Sequence, residues 1–211
     1  MNMDNTSYYI FGIVILILSV VVHEISHGYA ALALGDPTAK HQGRLTLNPI
    51  KHLDLYGSFI VPLLLIIFHT GVIIGWAKPV PFNPYNLRSA KWGEAVVAAA
   101  GPIANIALAV VFGLIIRFIS EYGFLNQPFL DLASFVVFIN IALAIFNLIP
   151  IPPLDGSKIL FAFLPYRWQN IRDSFEKFGL VLVLVFIFFL WQVMSPFINF
   201  LFTFLAGQPP F

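Results

Sequence analysis

The sequence predicts an all-α polytopic membrane protein. It has about four transmembrane helices, a re-entrant or short fifth segment over 59–75, and a small extended, β-like element. Three observations carry this. The chain is 59% hydrophobic and 16% aromatic but only 10% charged, with a mean hydropathy of +0.88, far from the composition of a soluble domain. Its apolar runs are long enough to cross a ~30 Å hydrocarbon core and are separated by short polar stretches. Finally, its eleven Lys and Arg residues fall so that one arrangement of the runs puts ten of them on one face. Little remains for a separate soluble module, so residues 1–211 read as one membrane-embedded domain. Its core spans about 8–165, and an additional C-terminal helix spans 178–205. A net charge of +1 without a basic tract gives no reason to expect nucleic acid as a partner. The absence of cysteine excludes disulfides and thiolate metal sites.

The first helix is expected from about Tyr8 to Leu34, roughly 40 Å at ~1.5 Å per residue, and Gly35-Asp36-Pro37 stops it. The leading MNMDNTS has no basic region and the run is too long for a signal-peptide core, so a retained span is expected. This helix carries His23-Glu24-Ile25-Ser26-His27. Ionisable groups are costly in hydrocarbon and mark function there. Four apart on a helix, the two histidines share a face with Glu24 beside them. That is the HExxH arrangement, in which two imidazoles hold one zinc and the glutamate acts as general base.

A polar stretch follows, with a turn at Asn48-Pro49 and an extended-looking Thr46-Leu47. His52 and Asp54 lie here; their spacing is weak ground for a second metal site, and an interfacial hydrogen-bonding role fits better. His41 lies in the same loop. Residues 59–75 are apolar but short and interrupted by Pro62, His69 and Gly71, a thin span or a re-entrant element. His69 reads as a packing or interfacial residue. In Gly75–Asn83, Pro79 and Pro81 forbid a regular helix and favour extended backbone.

The third helix is expected from about Trp92 to Ile119. Its small residues around Gly101-Pro102 allow close helix approach, and Asn105 serves either as bundle glue or as a cavity-facing group. The fourth, from about Asp131 to Ile149, breaks at Pro150-Ile-Pro-Pro-Leu-Asp155-Gly156. A basic connection then leads to the last helix, about Phe178 to Leu205, a packing and anchoring span.

Charge arbitrates the doubtful segment. If 59–75 dips in and returns, Lys40, Arg44, Lys51, Lys78, Arg88 and Lys91 share a face with the 158–177 connection, and Arg117 alone lies near the other. The positive-inside rule favours that layout: N-terminus outside, basic loops cytoplasmic. Zinc then needs a third ligand and an open position. Asp155 is the best candidate, because a broken helix at membrane depth belongs in a buried or wet cavity and the fourth helix ends near the level of His23. Asn147, one turn before the break, is a further functional candidate.

HEISHG together with Asn147-Leu-Ile-Pro150-Ile-Pro-Pro-Leu-Asp155-Gly156 resembles the site-2 protease family of intramembrane zinc metalloproteases, in its compact prokaryotic form. Gly101-Pro102-Ile-Ala-Asn105 matches that family's intervening helix, and the resemblance covers about 8–165. It implies His23, His27 and Asp155 as ligands of one zinc ion per chain and Glu24 as general base. Asn147, with Asn105, would then help hold the substrate or its developing oxyanion. Two features depart from relatives: Leu55 stands where many carry proline, and the 120–130 loop is too short for an inserted peptide-binding domain. The function expected is a metalloendopeptidase of the cell membrane, multi-pass, with its active site towards the cytoplasm. It would cleave within or beside transmembrane segments of membrane proteins, with the lipid bilayer as its other partner; the oligomeric state stays open. The alternative is a zinc transporter or channel using the same ligands, which gives no reason for Glu at the second position of the motif.

Overall fold

The computed structural model describes residues 5–67, 75–89, 92–119, 126–165 and 169–210. It is mostly helical. Helix α1 covers Asn5–Ala33, α2 Thr38–His41, α3 Val61–Ile67, α4 Trp92–Ile119, α5 Gln127–Leu148, α6 Asp155–Phe163 and α7 Gln169–Ala206. Three of these, over Ile10–Ala33, Trp92–Ile119 and Gln127–Leu148, are long and apolar enough to cross a membrane, counted among the described residues. The last helix is longer than the sequence suggested, at 38 residues, and takes in much of the expected basic connection. The rest of that connection holds α6.

Helix α4 is the hub and packs on α1, α5, α6 and α7. It can do so because its contact faces are cut small. A Cβ on Gly113 would lie 2.8 Å from Leu205 Cβ, so only glycine admits α7 at that depth. The apolar core lies where α4, α5 and α7 meet, around Ile116, Val137, Ile141, Ile198 and Phe202. Arg172 on α7 reaches Glu94 on α4 at 3.7 Å, tying the two helices, and Glu176 on its own helix at 2.8 Å.

The described residues on either side of 68–74 meet. A π-helical turn at Tyr56–Ile60 runs into α3, and Trp76 N–H donates to Gly57 O at 3.1 Å. Ser58 Oγ donates to Trp76 O at 2.9 Å. Residues 57 and 76 therefore lie side by side. His69 lies outside the described residues.

The expected β-like element is extended but forms no strand among the described residues. Its donors go elsewhere: Lys78 N–H to His52 O at 2.8 Å, Val80 N–H to a side chain of α1, and Pro79 and Pro81 have none to give. Thr46 and Leu47 are likewise in no strand. Arg44 holds the segment's other edge, donating through Nη2 to Lys78 O at 2.8 Å and Pro79 O at 3.2 Å. At its far end Asp36, fully buried just beyond α1, accepts from Asn83 N at 2.6 Å, Asn86 Nδ2 at 2.8 Å and Thr38. Burial would raise the Asp36 carboxyl, but its hydrogen bonds to Thr38, Asn86 and Asn83 outweigh that and hold it below the ordinary carboxylate range.

Candidate metal centre

His23 and His27 lie one helical turn apart on α1 and turn their rings towards α4. The approach is possible only because position 101 has no side chain. A Cβ there would sit 2.6 Å from His23 Cε1 and Nε2 and 2.6 Å from His27 Nε2. Helix α4 also orients both rings from behind: His27 Nδ1 donates to Val97 O at 2.7 Å, and His23 Nδ1 to Asn105 Oδ1 at 2.6 Å. With their protons on Nδ1, both rings present bare Nε2 atoms to the same point.

The third group comes from the break between α5 and α6. Prolines 150, 152 and 153 end α5, Leu154 N–H closes the turn onto Ile151 O at 2.9 Å, and α6 restarts at Asp155. Asp155 is therefore the first residue of a new helix and not part of an unwound tail. Gly156 lets the turn fold onto the end of α5, since a Cβ would lie 2.2 Å from Leu148 O.

Asp155 Oδ2 lies 3.1 Å from His23 Nε2 and 3.2 Å from His27 Nε2, and the two Nε2 atoms are 3.0 Å apart. Two lone pairs and a carboxylate converging in a buried place repel one another unless a cation lies between them. Ligands ~2.0–2.1 Å from a tetrahedral zinc lie about 3.3 Å apart, close to the spacing found. The three residues, all buried, fit zinc on one face of a tetrahedron.

A cavity of about 150 Å³ opens beside them, lined also by Glu24, Asn147, Val80, Phe82 and Lys158. Glu24 stands outside the ligand trio: its Oε2 accepts the Val80 N–H at 2.8 Å. Asn147 lines the cavity, with Nδ2 turned back to Leu143 O at 3.0 Å. Asn105 does not line it. It is completely buried behind His23, between that ring and Asn140, which separates it from any substrate. His52 and Asp54 do not join as a metal pair. His52 Nε2 donates to Thr46 O at 2.8 Å, while Asp54 Oδ1 caps Tyr56 N–H and Gly57 N–H at 3.0 and 2.7 Å.

Sequence reasoning passed over Asn140, Ser19 and the Val80 amide. A signal for Asn140 was present: it lies seven residues before Asn147, two turns along the same face of an otherwise apolar helix.

The chain matches the model of peptidase family M50 over residues 11–131 and 123–190. It is similar to YwhC of Bacillus subtilis (strain 168), 34% identical over 197 residues, covering 87% of this chain and 84% of that protein. It is also similar to Rip2 of Mycolicibacterium smegmatis (strain ATCC 700084 / mc(2)155), 29% identical over 169 residues, covering 80% of this chain and 63% of that one. Both carry the name putative zinc metalloprotease. MJ0392 of Methanocaldococcus jannaschii, named a zinc metalloprotease, is 24% identical over 172 residues, covering 82% of this chain and 40% of that protein. No solved structure matches the chain.

Proposed function

The chain belongs to peptidase family M50 and is a zinc metalloprotease, and from that premise we propose that it hydrolyses peptide bonds within or beside the transmembrane segments of membrane-protein substrates. The observation that carries this is the depth of the ligands: His23 and His27 sit in the interior of the apolar span Ile10–Ala33. A soluble substrate would have little access to such a site. A substrate in the bilayer is already there.

Zinc held by His23, His27 and Asp155 would polarise the scissile carbonyl and acidify a water. The remaining steps belong to the chain. Glu24, oriented through Oε2 by the Val80 amide, takes the water's proton on its other oxygen and passes it to the leaving amine. Asn147, on the cavity wall, is placed to turn its amide from Leu143 O to the substrate. A helical peptide bond is shielded by its own hydrogen bonds, so the substrate enters unwound and lies along Gly75–Asn83. The Lys78 and Val80 N–H groups are engaged, and Arg44 holds the Lys78 and Pro79 carbonyls, so pairing there runs from substrate N–H groups to carbonyls that Arg44 does not hold.

In the bilayer, α1, α4, α5 and α7 form four spans, 59–75 re-enters, and the basic loops and the cavity mouth face the cytoplasm. The protein is then a multi-pass protein of the cell membrane. Its partners are transmembrane proteins and lipid, with no nucleic acid. The test is cleavage of a co-expressed panel of single-span membrane proteins, with Glu24→Gln as control. Cleavage confined to soluble extramembrane loops would overturn the substrate class.

A further inference from the structure

We propose that Asn140 and Ser19 are positioning residues for the metal: acting through Asn105, they lock His23 in the one tautomer that can ligate zinc through Nε2. The inference rests on the zinc reading of the site and concerns three residues that touch neither metal nor cavity.

The chain of hydrogen bonds has only one consistent direction. Val136 O is a carbonyl and can only accept, and Asn140 Nδ2 donates to it at 2.8 Å. The same nitrogen donates to Ser19 Oγ at 2.9 Å. That fixes the Asn140 amide with its Oδ1 towards Asn105, whose Nδ2 donates to it at 2.7 Å and also reaches Ser19 O at 3.4 Å. Asn105 Oδ1 is thereby left facing His23 Nδ1 at 2.6 Å. An oxygen there demands a proton on Nδ1, and the neutral ring then offers its lone pair from Nε2.

A comparison within the site shows why a second amide is needed. His27 is oriented by Val97 O, a backbone carbonyl that cannot turn round. His23 is oriented by a side-chain amide, and a flipped Asn105 would present N–H to the ring and favour the tautomer that protonates Nε2. Asn140 and Ser19 prevent the flip. Their placement is costly unless it is used: Asn105 and Asn140 are fully buried and Ser19 nearly so, where α1, α4 and α5 meet. Amides also orient without adding charge. Zinc, Asp155 and Glu24 already sum to zero, and a carboxylate behind His23 would leave an unbalanced negative charge in an apolar bundle.

Zinc affinity of the full chain in detergent, read by chelator competition, tests this. Asn140→Leu is expected to weaken zinc binding by about 10–100-fold, the usual range for such outer partners. In an Asn105→Ala background the same change is expected to cost less than about twofold, because its effect passes through Asn105. The absorption spectrum of the cobalt-loaded protein should shift with Asn140→Leu. Affinity within about twofold of wild type in folded Asn140→Leu, or a full loss persisting without Asn105, would overturn the relay. If Asn140→Leu does not fold, Ser19→Ala replaces it. That variant is expected to weaken zinc about threefold, less than the usual outer-partner loss because Val136 O still holds Asn140, with Ser19→Thr restoring it. Unchanged affinity there overturns the proposal equally. Metal affinity is read without any substrate, so a different substrate class leaves this result standing.

Discussion

Val80 N–H donates to Glu24 Oε2 at 2.8 Å, linking the extended segment to the proposed general base across 56 residues of chain. Pro79 and Pro81 flank that amide, so it is the one backbone donor between them. Arg44 fixes the carbonyls just before it. The carboxylate is thus aimed by a rigid piece of backbone and kept out of the ligand trio, which suits a base and not a fourth ligand.

Glu24→Gln keeps the acceptor for Val80 and leaves the three ligands untouched. Zinc should remain bound while cleavage falls by at least ~100-fold. Val80→Pro removes the donor instead, and should likewise lower turnover with zinc retained. Metal content and proteolysis measured on the same preparations decide it. Zinc loss in Glu24→Gln, or full activity, would remove Glu24 as the base.

His23→Ala, His27→Ala and Asp155→Ala should each lose both metal and activity, because two ligands hold zinc poorly. Asp155→Asn keeps the shape but removes the charge facing the dication. It should bind zinc more weakly than wild type and show almost no turnover. Metal analysis after dialysis against a mild chelator separates these cases.

Gly101→Ala adds a methyl at 2.6 Å from both imidazoles. Alanine is a better helix former than glycine, so α4 itself should persist. The rings must move, and zinc affinity should fall at least ~10-fold, as for other disturbed ligand orientations. Unchanged affinity with unchanged helicity would show that the rings have room the geometry denies them.

The hydrogen bond from Trp76 N–H to Gly57 O predicts that the chain on either side of 59–75 faces one compartment. Cysteines at exposed Lys51 and at Tyr85, which is 96% exposed, should be labelled by a membrane-impermeant reagent from the same, cytoplasmic side. Labelling from opposite sides would make 59–75 a span.

Asp36→Ala should leave the half-buried Thr38 and Asn83 donors and the exposed Asn86 amide without their buried acceptor, costing about 1–3 kcal/mol and lowering Tm in detergent. The carboxyl is held below its ordinary range. Its contribution is therefore fully present above the unfolded value of ~4 and disappears as pH falls through the lower folded value. Wild type should lose Tm on that acid side, and Asp36→Ala should lose less. Parallel acid profiles would assign the pH dependence to other groups.

Local chemistry was legible in the chain. Two histidines at helical spacing share a face wherever they fold, and three prolines break a helix whatever surrounds it, so HExxH and the break before Asp155 could be read directly. The same applies to the three long apolar helices over Ile10–Ala33, Trp92–Ile119 and Gln127–Leu148. Packing was not legible. That Asp155 opens α6, that Gly101 seats two rings, that Asn105 lies behind His23 and not in the cavity, and that Val80 holds Glu24 all depend on residues far apart in sequence. Hydrophobic periodicity says which face of a helix is buried but not which neighbour it meets. Only the tertiary structure could decide that, because the direction of a buried amide is set by a carbonyl on another helix.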